Sequence, residues 1–236
     1  GHLLANGLHW RRIYLYLGIF FVISVVLTLL IRTPGIKANV NKEKKRKELY
    51  KNPIIYLFVA AVCFAFLSES VLYTWFISYM RDSYSFDPAS AAKYASVYYL
   101  AFALGRLVGG FILNKTGNVN GLKLYLFSGA FCIVTGLLLR DKGLLVIAAS
   151  GFFLSITFPT LMLITNSVFK ENTSFAIGLI TTFGNILFMI FFNITGALND
   201  LVGPHIAFFV APASMLACLL MITLIEKKSH LGNPEI

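Results

Sequence analysis

Charge is what this chain has least of. Asp, Glu, Lys and Arg make up 13% of its 236 residues, where a soluble globular protein carries about a quarter. With 58% of residues hydrophobic and a mean hydropathy of +0.77, the shortage excludes an ordinary water-soluble domain. Acids are scarcer than bases, 10 against 20, for a net charge of +10. In a soluble protein that excess would point to nucleic acid. Here the bases gather in a few loops beside apolar runs, so they read as topology signals and no nucleic-acid partner is expected. Cysteine is limited to Cys63, Cys132 and Cys218, each inside an apolar run and far from the others, which excludes a zinc or redox motif. The four histidines sit at segment ends or in loops without zinc spacing or a nucleophile nearby. No metal, no cofactor and no enzymatic site is therefore expected. Alternation of apolar and polar residues is missing too, which argues against a transmembrane β-barrel. The first apolar run is too long for a signal peptide and lacks its cleavage site.

What the chain does have is continuous apolar runs, and about twenty such residues cross a bilayer as a helix. Seven runs qualify, at about 13–31, 54–80, 92–113, 122–139, 144–167, 174–197 and 204–225. The expected fold is thus an all-α membrane protein with seven transmembrane helices. Residues 35–52 carry Lys42, Lys44, Lys45, Arg46, Lys47 and Lys51, and such a cluster beside a membrane helix belongs on the cytoplasmic side. Fixing that loop inside puts thirteen bases inside and six outside, with Arg106 left within a helix. The expected location is the cytoplasmic membrane, multi-pass, with residues 35–52 and the C-terminus cytoplasmic. The chain divides accordingly into 1–34, which holds the first run; 35–52, the basic cytoplasmic loop; 53–226, the six further runs; and 227–236, a cytoplasmic tail.

The apolar runs contain exceptions, and these are the candidate functional residues. Glu69 lies near the middle of the run 54–80. A carboxylate at that depth costs about 2.5–3.5 kcal/mol or more, so it is a functional candidate by default; the plainer alternative is an acid held by a neighbouring hydroxyl or amide. Tyr73 is one helical turn on, on the same face, whereas Trp75 points elsewhere. Tyr98, Tyr99 and Asn185 are further polar groups in the runs, suited to hold hydroxyls or merely to join helices. Arg106 suits snorkelling or pairing with a helix C-terminus. Gly105, Gly109 and Gly110 form a small-residue pattern for close helix contact. Pro159 frees a backbone carbonyl and bends its helix.

The stretch Gly105-Arg106-Leu107-Val108-Gly109-Gly110 through Asn114-Lys115-Thr116-Gly117 resembles the loop signature of the major facilitator superfamily. There a glycine is followed four residues on by an acid, a base and another glycine, and Gly110, Asn114, Lys115 and Gly117 occupy those places. The acid has become Asn114 and trailing arginines are missing, as in the weaker copy between that family's eighth and ninth helices. The resemblance runs along the whole chain and implies helices six to twelve: a six-helix half-bundle plus the preceding helix, with an N-terminal half-bundle of five further helices outside the chain. Phe66-Leu67-Ser68-Glu69-Ser70 with Trp75 and Tyr79 resembles the seventh helix of fucose-permease-like sugar–proton symporters. Gly151-Phe152-Phe153 leading to Phe158-Pro159-Thr160 resembles their tenth.

The resemblance implies a secondary transporter of a small-molecule substrate, working by alternating access, with helices seven and ten lining the cavity. It implies a proton as coupling ion and a sugar as substrate; export of a drug or metabolite is the alternative within the superfamily. A seven-helix receptor fits the helix count but lacks an acid–arginine–aromatic triplet at the inner end of its third helix and a retinal-binding lysine.

Overall fold

A computed structural model of the chain describes residues 10–30 and 49–229; the basic cluster Lys42–Lys47 and the tail beyond Ser229 lie outside them. The chain divides into two compact units, Gly1–Lys42 and Glu43–Ile236. The first holds α1 (Trp10–Leu30). Every residue after Arg12 in α1 is uncharged.

The second unit is built around α2 (Pro53–Tyr84), the helix that contains Glu69. Asn52 starts it: its side chain accepts the Ile54 N–H at 3.0 Å, and Pro53 at the first helical position has no N–H to leave unsatisfied. The last turn closes on Ser85 at φ 55°. At 1.5 Å per residue α2 is about 48 Å long, so it runs past a hydrocarbon core of about 30 Å. It packs mainly on α10 (Val210–Ser229) and α8 (Thr173–Val202), and also meets α3 (Pro88–Thr116) and α7 (Thr157–Phe169).

α3 begins beyond its apolar run because Asp87 caps it, accepting the Ala89 and Ser90 N–H groups at 3.0 Å each. The bonds from Ser90 and Ala89 hold the Asp87 carboxyl below the usual carboxylate range. α3 ends at Gly117, whose φ of +78° favours glycine. The Gly117 N–H reaches Leu113 O at 2.8 Å, and α4 (Asn118–Leu138) starts at the next residue. An ion pair between Lys123 and Glu226 ties α4 to α10.

The expected single helix over 144–167 is instead three pieces, α5 (Leu144–Ala149), α6 (Gly151–Leu154) and α7. One interruption falls at Ser150, the other at Ser155–Ile156, four to three residues before Pro159. Likewise 204–225 divides into α9 (Pro204–Ala207) and α10. Among the described residues five stretches are long and apolar enough to cross a membrane, where seven runs were expected. One of them, Arg140–Val202, has 63 residues and holds both α5–α7 and α8, separated by the tight turn Lys170–Asn172 with Lys170 at φ 40°. The remaining difference is α1, whose apolar run lies only partly within the described residues. All described elements are helical, and large apolar side chains such as Phe111, Leu138 and Leu201 stand more than two-thirds exposed, as lipid contact requires.

Candidate functional site

α2 and α3 run antiparallel, and ring contacts set their register. Tyr73 meets Tyr99 edge-on with centroids 5.8 Å apart, and Phe76 meets Tyr98 at 6.4 Å. Glu69 lies one turn before Tyr73 on α2. The position facing it on α3 is therefore one to two turns beyond Tyr99, where Arg106 stands. Glu69 is half-buried, and among the described residues its carboxylate makes no hydrogen bond and no ion pair. Arg106 is within electrostatic reach of that carboxylate, and the Tyr98 hydroxyl lies in the same field.

The two adjacent tyrosines, equivalent candidates in the sequence, part company here. Tyr98 is 2% exposed while Tyr99 is 45% exposed. Tyr98 is pinned by Gly151: a Cβ at that glycine would come within 2.6 Å of the Tyr98 carbonyl and 2.9 Å of its ring. Burial leaves the Tyr98 hydroxyl without a protein hydrogen-bond partner. Tyr73, placed beside Glu69 by helical spacing, is instead 64% exposed and spends its ring on Tyr99. The companions of Glu69 come from α3.

Arg106 does not sit at a helix end. It is ten residues short of Thr116, and its Nε–H donates to the Ser155 carbonyl at 3.3 Å, with the guanidinium carbon 4.8 Å from the Phe102 ring centre. The reason lies in Pro159. In a continuous helix the N–H of residue 159 would bond the carbonyl of residue 155, and proline has none. In lipid an unsatisfied carbonyl costs several kcal/mol, and Arg106 answers it from the neighbouring helix. Gly105 makes the approach possible. A Cβ there would fall 2.2 Å from Phe152 O and 2.4 Å from Ser155 Oγ, and one at Gly109 would fall 2.3 Å from the Ile156 side chain.

The two stretches that carry the transporter likeness also touch. Phe66 of α2 stacks on Phe158 of α7 at 5.0 Å, one residue before Pro159. Trp75 faces away from Glu69 and stacks on Phe192 of α8 at 4.8 Å.

Other candidates are not brought to Glu69. Asn185 on α8 is exposed and its Nδ2 donates to Thr181 O of its own helix at 2.8 Å. Gly110 has nothing within 4 Å of a would-be Cβ. Asn114 and Lys115 stand exposed in the last turn of α3 and make no hydrogen bond or ion pair among the described residues. The end of α3 is instead closed by backbone, through the Gly117 N–H on Leu113 O.

A polar cluster at the other end of α2 has no sign in the sequence pattern. There the Tyr79 hydroxyl lies 2.9 Å from that of Tyr84 and 3.0 Å from Nδ1 of His205, beside a cavity of about 200 Å³ that Trp75, Asp82 and Asn199 help to line. His205 and Tyr79 are 126 positions apart, so no local spacing announces the contact. No group of metal-ligating side chains is assembled among the described residues.

Known proteins agree with this architecture. Protein TsgA homolog of Serratia proteamaculans is 27% identical over 97% of the chain, and its counterpart in Yersinia enterocolitica is 24% identical over 97%. The chain spans 60% of the length of each. A crystal structure of the E. coli fucose:proton symporter FucP superposes with a TM-score of 0.74 at 13% identity. That match covers 95% of this chain and 60% of the symporter. A second, of FucP as a superfamily transporter in its outward conformation, gives 0.75 at 14%, covering 91% and 54%. The profile of the Major Facilitator Superfamily matches residues 1–186. A multi-pass helical membrane chain with this fold and that match belongs to the Major Facilitator Superfamily.

Proposed function

We propose that the protein is a secondary active transporter that moves a small solute, a sugar or similar polyol, together with protons by alternating access. On this reading the chain crosses the cytoplasmic membrane seven times. Arg140–Val202 makes two crossings and α1 one, and residues 35–52 and the C-terminus are cytoplasmic. The unit from α2 to α10 forms one wall of the cavity, and a preceding half-bundle forms the other. The observation that carries the reading is Glu69: an acid midway along a membrane helix, half-buried, with no protein hydrogen bond or ion pair among the described residues. A carboxylate left in that state needs a proton or a ligand. Tyr98 adds a buried hydroxyl with the same need, and aromatic rings beside donors and acceptors suit a sugar's C–H faces and hydroxyls. The likeness to a fucose:proton symporter supports the substrate class.

The exposed Tyr73–Tyr99 pair favours a second reading, export of an amphipathic compound that lies against the rings. One experiment separates the two and tests both. Glu69→Gln in the full-length protein, reconstituted in liposomes with an imposed proton gradient, should lose driven uptake of L-fucose and keep part of its counterflow. Undiminished accumulation by that variant would remove Glu69 from coupling. Gradient-driven efflux of an aromatic amine without sugar uptake would favour the exporter.

A further inference from the structure

Arg106 is the point where two separate demands meet. On one side is the break between α6 and α7. Pro159 denies Ser155 its helical partner, and the Arg106 Nε–H supplies one at 3.3 Å. That distance is at the long end for an N–H···O bond, so the hold is one that a competitor can loosen. On the other side is Glu69, which the Tyr73–Tyr99 and Phe76–Tyr98 contacts place opposite Arg106 on α2. A guanidinium has five N–H donors. Among the described residues Arg106 donates a hydrogen bond only through Nε, and the residue is exposed.

We propose that Arg106 is a positioning residue that links Glu69 to the bend of the α6–α7 segment, holding the Ser155 carbonyl firmly when Glu69 is neutral and loosely when it is charged. The proposal rests on the reading of Glu69 as a protonation or substrate site. A proton arriving from water on the carboxylate, or a ligand hydroxyl donating to it, removes the attraction that draws the guanidinium from Ser155. Protonation forms one O–H bond on the carboxylate as one breaks in the hydronium ion that gives the proton, which leaves as water.

Few other groups compete. Tyr73 is on the same helix, and Tyr98 faces Glu69 from α3. α7 contains no charged residue; α8 has only Asp200 and α10 only Glu226, Lys227 and Lys228, all at the helix ends. Gly105 keeps α3 close enough for the Arg106 side chain to serve both partners.

The bend can be read directly by spin labels on exposed sites either side of the break, Leu145→Cys and Leu163→Cys, in the 236-residue chain in nanodiscs. Cys63, Cys132 and Cys218 are replaced by Ala. The labelled positions are 18 residues apart, about 27 Å along a straight helix. Glu69→Gln should narrow the distance distribution, as should acidification of the parent. Arg106→Gln should broaden it and make it indifferent both to acid and to Glu69→Gln. Pro159→Ala restores an N–H for Ser155, so in the Arg106→Gln background it should recover both the narrow distribution and the thermal midpoint. Arg106→Lys, which keeps the charge but not Nε, should respond to Glu69→Gln only weakly and so stands in if Arg106→Gln does not fold.

A distribution unchanged by Glu69→Gln with Arg106 present overturns the link to Glu69. Failure of Pro159→Ala to rescue Arg106→Gln overturns the link to Ser155. Because the readout is a distance and not uptake, a transport role that fails for Glu69 leaves this test standing. A coupling that fails here likewise leaves the uptake test intact.

Discussion

The Tyr98 side chain is buried to its hydroxyl, and that hydroxyl has no protein partner. A buried polar group in that state costs about 1–3 kcal/mol. Tyr98→Phe removes the oxygen while keeping the ring against Phe76, Phe102 and Gly151. Thermal unfolding of the variant should therefore match or exceed the parent, while its affinity for substrate falls. Tyr98→Ala, by contrast, empties the contact and should lose about 3–5 kcal/mol. A Phe variant that melts well below the parent would mean that the hydroxyl is satisfied within the protein, and would take Tyr98 out of the site. Glu69 stands at the same scale. The expense of its position is readable from its place in an apolar run, but its companions are not, because Tyr98 and Arg106 come from another helix.

Between helices, the joint of α3 with α6 and α7 decides most. Gly105 and Gly109 face the contact, and Gly110 does not, although all three belong to one small-residue pattern. Gly105→Ala drives a Cβ into the Phe152 carbonyl and should cost about 1–3 kcal/mol by overpacking. Gly110→Ala meets open space in this unit and should be neutral or stabilising by up to about 1 kcal/mol, since alanine is the better helix former. Melting curves of the two variants of the 236-residue chain check the contrast, and equal losses would place Gly110 in a contact as close as that of Gly105. Pro159 shows the same local rule seen from the other helix. Proline sits in the first turn of α7, and the disruption appears four residues earlier, where its missing N–H is felt.

At the scale of the molecule, the chain is a superfamily member that spans 60% of the length of the relatives it matches. On the proposed function one half-bundle rocks against another around a shared site, to which Glu69, Tyr73 and Tyr99 belong. The 236-residue chain reconstituted alone should bind solute weakly if at all and should not accumulate it against a gradient. Supplying the preceding portion of a full-length relative should restore accumulation. Driven uptake by the isolated chain, measured at dilutions that prevent dimers, would contradict a site shared between two halves.

The order of apolar runs, their caps at Asn52 and Asp87, the turn at Gly117 and the anomaly of Glu69 are all determined by the sequence itself. Each depends on residues a few positions apart: a proline beside an amide cap, a glycine where φ is positive, a charge among apolar neighbours. Even the orphaned carbonyl at Ser155 follows from Pro159 by counting back four residues. What tertiary structure alone decided is which group answers each local need. In a soluble helix a polar face tells which side turns outward. These helices are apolar on nearly every side, because lipid and core ask for the same residues, so periodicity does not orient them. Tyr98 turned inward, where Gly151 leaves room for its ring, and Tyr99 outward. Arg106 met Ser155 because Gly105 let two helices close to contact distance.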